Sequence, residues 1–167
     1  MEKNVYFPKV QDIEKASERL KEILAPTPLQ LNAHFSNKYG CDVYLKREDL
    51  QMVRSYKIRG AYNKIRSIQP EVLKYGIVCA SAGNHAQGVA FSCNKLKIMG
   101  SIYMPVTTPR QKIEAVSMFG KDYVDIVLTG DTFDEANEAA IKYAQRSGKT
   151  FIPPFDDEKI IEGQGTI

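Results

Sequence analysis

The stretch that decides the fold runs from residue 76 to residue 88: Gly76-Ile77-Val78-Cys79-Ala80-Ser81-Ala82-Gly83-Asn84-His85-Ala86-Gln87-Gly88. Its first five residues form a short apolar run, the pattern of a strand buried on both faces. Its end opens a segment that predicts a helix from about His85 to Leu96. The same alternation continues on either side. Downstream, Ile98 to Met104 reads as a strand, Pro109 opens a helix that Gly120 ends, and Val124 to Leu128 is another strand. Asp131 or Thr132 then caps a helix with Phe133, Ala136, Ala140 and Tyr143 on its apolar face; Gly148 closes it before a short strand, Thr150-Phe151-Ile152. Upstream, a helix is expected from about Ser55 to Ile68, and Asp42 to Lys46 reads as a strand. A helix from Asn32 to Tyr39 stops at Gly40, and one carrying Ile13, Ala16, Leu20, Ile23 and Leu24 stops at Ala25-Pro26-Thr27-Pro28. Strands alternating with helices of this length predict an α/β fold: a parallel sheet with helices on both faces.

At 167 residues, 43% of them hydrophobic and 26% charged, the chain can bury a real core and suits one domain with an appended piece of another. The net charge of +3 is small, and basic residues are interleaved with acids, unlike the concentrated stripe of a nucleic-acid binder. No apolar run reaches the length of a membrane span. The start, MEKNVYFPKV, lacks the apolar core of a signal peptide, so the expected location is the cytoplasm. Cys41, Cys79 and Cys93 are odd in number and form no C-x-x-C pair; free thiols are expected, with Cys79 and Cys93 buried. The two histidines lack metal-ligand spacing, so no metal site is expected.

Ligands of such folds bind beyond the carboxyl ends of the strands, which directs attention to Ser81 to His85, Pro105 to Pro109 and Thr129 to Thr132. No G-x-G-x-x-G follows a strand and no G-x-x-x-x-G-K-[ST] occurs. The residues of the first loop allow two readings. Unpaired N–H groups at a helix start attract anions, Gly83 admits a ligand close to the backbone, and Ser81 and Asn84 add polar side chains. Alternatively, Ser81 or Asn84 merely caps the helix and His85 is an ordinary first-turn residue. Lys57, within Arg54-Ser55-Tyr56-Lys57-Ile58-Arg59-Gly60-Ala61, reads by itself as a solvated cation, the usual state of a lysine, with a nucleophile held for chemistry as the alternative. Lys46-Arg47-Glu48-Asp49 reads as a solvated charge run, and Gly163 and Gly165 as a loop after a short helix rather than a phosphate site.

Lys46-Arg47-Glu48-Asp49-Leu50, Ser55-Tyr56-Lys57-Ile58-Arg59-Gly60-Ala61 and Ser81-Ala82-Gly83-Asn84-His85-Ala86-Gln87-Gly88 strongly resemble the threonine dehydratases, pyridoxal-phosphate (PLP) enzymes of the tryptophan-synthase β-like fold type II. The agreement extends to Pro26-Thr27-Pro28-Leu29, Thr108-Pro109-Arg110-Gln111-Lys112, Ile152-Pro153-Pro154-Phe155-Asp156-Asp157 and Gly163-Gln164-Gly165-Thr166, in the family's order.

The resemblance implies that Lys57 holds PLP as a Schiff base and acts as the catalytic base. It implies that Asn84 bonds the cofactor's ring hydroxyl, and that Ser81, Gly83, Asn84 and His85 grip the substrate carboxylate. Tyr56 stands where the family usually has a phenylalanine against the pyridine ring, so stacking is expected. The implied reaction is dehydration and deamination of L-threonine or L-serine to a 2-oxo acid and ammonia. Ala82 replaces the second serine of the related serine racemases and cannot move a proton, which favours elimination over racemisation. The resemblance further implies residues 1–45 as an arm and helices of a larger domain, 46–152 as the small α/β domain, and 153–167 as the return to the larger domain. On this reading the chain is an inactive part of a longer enzyme, without its phosphate-binding loop, and self-associates or domain-swaps. The competing expectations are an isolated non-catalytic small domain and a related serine dehydratase or racemase.

Overall fold

In the computed structural model, which describes residues 6–167, the chain runs through α1 (Val10–Leu20), β1 (Leu29–Leu31), α2 (Ala33–Tyr39), β2 (Tyr44–Lys46), α3 (Lys57–Arg66), α4 (Pro70–Leu73) and β3 (Ile77–Ala80). It continues through α5 (Asn84–Leu96), β4 (Gly100–Met104), α6 (Arg110–Gly120), β5 (Val124–Leu128), α7 (Phe133–Ser147), β6 (Thr150–Phe151) and α8 (Glu158–Gln164). Residues 1–5 of the expected arm lie outside the described residues.

Four strands form one sheet in the order β5-β4-β3-β6, and every pair is parallel. The expected class is what the structure shows. Alternate residues of the decisive strand face opposite ways, as a period of two requires. Ile77 and Cys79 join Ile102 and Met104 in a core with Ala61, Ile65, Ala86, Val89 and Cys93 from α3 and α5. Val78 and Ala80 join Tyr103 in a second core with Ala140 and Ala144 of α7. One run of four apolar residues thus seals helices to both faces, and all four are fully buried.

The helix signals in the sequence have physical counterparts. Asn32 caps α2 by accepting the Phe35 N–H at 2.9 Å, and Gly40 ends it with φ 65°. Thr132, rather than Asp131, caps α7 in a full capping box with Glu135, and Gly148 ends that helix with φ 70°. Cys79 and Cys93 are buried free thiols and Cys41 an exposed one.

Three differences have local causes. The strand at Tyr44–Lys46 does not join the parallel sheet; it pairs antiparallel with β1, a three-residue strand too short to announce itself. Helix α1 stops at Leu20, four residues before the last of its apolar positions, because Ile23 and Leu24 both donate to the Leu20 carbonyl in a tight turn. Gly163 lies inside α8, not in a loop: a Cβ there would stand 2.6 Å from the Arg59 carbonyl and 2.7 Å from Gly60 Cα, so the glycine lets α8 cross α3 in close contact. Gly165 packs against Ile13 of α1 in the same layer. No helix among the described residues is long and apolar enough to cross a membrane.

Candidate active site

Helices α3 and α5 start side by side. At Gly88, in the second turn of α5, an added Cβ would meet Ile58 N and the Lys57 carbonyl at 3.2 Å and Ala61 Cβ at 3.3 Å. The missing side chain lets the first residues of α3, Lys57 and Ile58, lie against α5 just beyond the loop that leaves β3.

That loop ends in an uncapped helix. Gly83 occupies the N-cap position with no side-chain hydrogen bond, so neither Ser81 nor Asn84 caps α5. Ser81 Oγ instead accepts the Gly83 N–H at 3.1 Å, shaping the loop itself. The first helical hydrogen bond runs from Gln87 N–H to the Gly83 carbonyl at 3.3 Å, leaving the preceding N–H groups outside the ladder with partial positive charge. A Cβ at Gly83 would meet nothing within 4 Å, so the space over these donors is open. Asn84 is exposed beside them.

Lys57 is half-buried and its Nζ donates to the Pro154 carbonyl at 2.7 Å. Desolvation holds its pKa below that of an ordinary lysine. The Tyr56 ring, 41% exposed, lies with its centroid 5.6 Å from the same nitrogen. His85 is 3% exposed, and its Nε2 meets the Ile152 carbonyl at 3.1 Å. Because a carbonyl only accepts, Nε2 carries the proton, and Nδ1 is left buried without a hydrogen-bond partner. Burial, with the charge of Lys57 as a lesser contribution against the Ile152 hydrogen bond, pulls the imidazole pKa down to about 4. The ring is neutral at neutral pH.

All six residues singled out for a site (Tyr56, Lys57, Ser81, Gly83, Asn84 and His85) therefore sit on the two adjoining helix starts and the loop between β3 and α5. Two participants were not foreseen, the carbonyls of Ile152 and Pro154. Every residue carries a carbonyl, so composition cannot mark them. The rule that ligands gather at the carboxyl ends of strands would have found them, had it been extended to the end of β6.

Glu48 also differs from expectation, and Arg59 is its partner. Arg59 turns away from Lys57: its Nε and Nη2 grip Glu48 at 2.8 Å each, and its Nη1 reaches the Thr166 carbonyl at 3.1 Å. Glu48, read as part of a solvated run, is 7% exposed and also accepts from Thr27 at 2.6 Å and Gln51 at 3.3 Å. A run of two bases followed by two acids gives no sign of which member turns inward.

The sequence model of the pyridoxal-phosphate dependent enzyme family matches residues 20–167. The biosynthetic L-threonine dehydratase IlvA of Halalkalibacterium halodurans is 57% identical over 158 residues, covering 95% of this chain and 38% of the relative. Among solved structures, the processed form of threonine deaminase isoform 2 from Solanum lycopersicum superposes with a TM-score of 0.85 at 41% identity, over 96% of this chain and 45% of that one. Maize serine racemase gives a TM-score of 0.89 at 27% identity, over 96% of this chain and 48% of that one. The chain thus spans less than half the length of each of these proteins.

Proposed function

The chain belongs to the family of pyridoxal-phosphate dependent enzymes, and on that premise we propose that a protein carrying it dehydrates and deaminates L-threonine or L-serine to a 2-oxo acid and ammonia. The observation that carries the reading is a half-buried amine, Lys57 Nζ, on one helix start beside an uncapped second one.

The residues fit the ring end of the cofactor. Lys57 offers a primary amine whose pKa is lowered by desolvation and whose hydrogen bond is to an exchangeable main-chain oxygen. Tyr56 offers an aromatic face beside it and Asn84 an exposed amide. For the phosphate, the glycines at 163 and 165 offer nothing, since α3 and α1 fill the space above them; we assign that group to sequence outside this chain. When bound, PLP supplies the electron sink that makes a Cα–H bond breakable.

The chain's own residues would do the rest. The N–H groups at the start of α5, under the open space at Gly83, bind the substrate carboxylate as a helix start binds any anion. Lys57 Nζ takes the Cα proton, which it can do only when neutral; its lowered pKa enlarges that fraction. Ala82 places a methyl group where a racemase needs a second proton carrier, so the proton is not returned from the opposite face. Relatives named as racemases share the fold, and this residue is the reason for preferring elimination here.

Within this proposal, residues 1–45 and 153–167 belong with the missing larger domain, residues 46–152 form the small domain, the enzyme works in the cytoplasm, and the chain alone self-associates with little turnover. Titrating it with PLP and following the visible imine absorbance tests the assignment of Lys57. Absorbance is expected with the wild-type chain and not with Lys57→Ala. A full-length protein saturated with PLP that releases 2-oxo acid from neither threonine nor serine sinks the functional reading.

A further inference from the structure

Two carbonyls of one segment meet two polar groups of the candidate site, the buried His85 and the half-buried Lys57. The segment from Ile152 to Asp157 leaves β6 and leads into α8. Its first residue is fixed from behind, the Ile152 N–H donating to the Val78 carbonyl at 2.7 Å. Its last residue is fixed by Lys64, whose Nζ meets Asp157 Oδ2 at 2.6 Å, and by the α8 N–H groups of Lys159 and Ile160, which donate to Asp157 Oδ1. Between these anchors, the Ile152 carbonyl meets His85 and the Pro154 carbonyl accepts from Lys57. From these contacts we infer that His85 is a positioning residue for Lys57, acting through this strap: the imidazole pins Ile152, and the pinned strap presents the Pro154 oxygen to the lysine amine.

The chemistry of each partner supports the assignment. A neutral Nε2–H donor satisfies a buried carbonyl without introducing a charge, whereas an imidazolium there would bury charge beside Lys57. Lysine has four rotatable side-chain bonds, and a hydrogen bond to one fixed oxygen selects a single placement of Nζ at the start of α3. Only Pro153 separates the pinned carbonyl from the presenting one. Loosening the first therefore moves the second, and Lys57 gains water. The inference rests on Lys57 being the reactive amine of the proposed function, but its test needs no cofactor.

The experiment uses the 167-residue chain. On the wild type, nitrogen-15 NMR of the imidazole should show a neutral ring protonated at Nε2 throughout pH 6–8; a ring that charges in that interval, or carries its proton on Nδ1, overturns the inference. Reductive methylation followed by peptide mass mapping then gives the pH profile of Lys57, with Lys46 as internal reference because its Nζ also donates to a carbonyl, that of Thr27, at 2.7 Å. In His85→Phe, which keeps a ring but loses the donor, the Lys57 midpoint should move up toward an ordinary lysine while Lys46 stays fixed. His85→Gln, which retains an N–H donor, should restore the wild-type profile. An unmoved Lys57 profile in folded His85→Phe rejects the positioning role, as does His85→Gln behaving like His85→Phe. These outcomes are separate from the failure of PLP capture, which bears on the proposed function alone.

Discussion

Glu48 is the residue whose charge matters most away from the amine, because it ties four distant segments together through Thr27, Gln51 and Arg59, with Arg59 continuing to Thr166. Burial alone would push its carboxyl pKa up. The hydrogen bonds from Arg59, Thr27 and Gln51 and the Arg59 charge outweigh that and hold it at about 2, against an ordinary value of 4.5. The folded value is the lower one, so the network's stabilisation is complete above about pH 4.5 and is lost as pH falls toward 2. Thermal midpoints measured from pH 6 to pH 2 should decline across that window, and Glu48→Gln should flatten the decline. The same substitution leaves Arg59 without its ionic partner and should cost about 3–5 kcal/mol in urea unfolding at neutral pH.

At the scale of elements, the layer of α1, α3 and α8 depends on close helix contact rather than on large side chains. Gly163→Ala would press a methyl group onto the backbone of Arg59 and Gly60, where nothing flexible can yield. A loss of about 1–3 kcal/mol is expected from such overpacking, and hydrogen exchange should show α8 loosening first. Thr132→Ala removes half of the α7 capping box and should cost about 1 kcal/mol by the same unfolding measurement. These elements also show why some of the fold was legible in the sequence and some was not. Helix α7 announces itself through Thr132, Glu135 and Gly148, because capping chemistry is local and needs specific side chains. Strand β3 does so through four consecutive apolar residues. Strand β1 is only Leu29-Gln30-Leu31, and its pairing with β2 depends on a partner thirteen or more residues away. In the candidate site the side chains singled out from the sequence, Lys57 and Asn84 among them, are brought together by the fold, whereas the main-chain oxygens of Ile152 and Pro154 carry no mark in the sequence.

The whole molecule is unevenly covered. The parallel sheet is sealed on both faces, but β1 and β2 expose every residue, and Leu29, Tyr39, Tyr44 and Met52 are 64%, 63%, 51% and 60% exposed. Exposed large apolar side chains of this kind favour association with another surface. Sedimentation velocity should therefore show the isolated chain forming concentration-dependent oligomers, and the double substitution Leu29→Lys, Tyr39→Lys should shift it toward monomer without lowering its thermal midpoint. An unchanged distribution would place the association elsewhere.

The strap between β6 and α8 has a consequence for how this molecule tolerates change. At its two central contacts the chain contributes oxygens that every amino acid carries, so identity at Pro154 matters less than its count of residues from Ile152. Replacing Pro154 alters a ring; deleting one residue between the two anchors of the strap carries the Pro154 oxygen out of register with Lys57. In a deep scan of substitutions and single-residue deletions, positions 153–155 should accept many of the former and reject nearly all of the latter, with length as the inherited quantity.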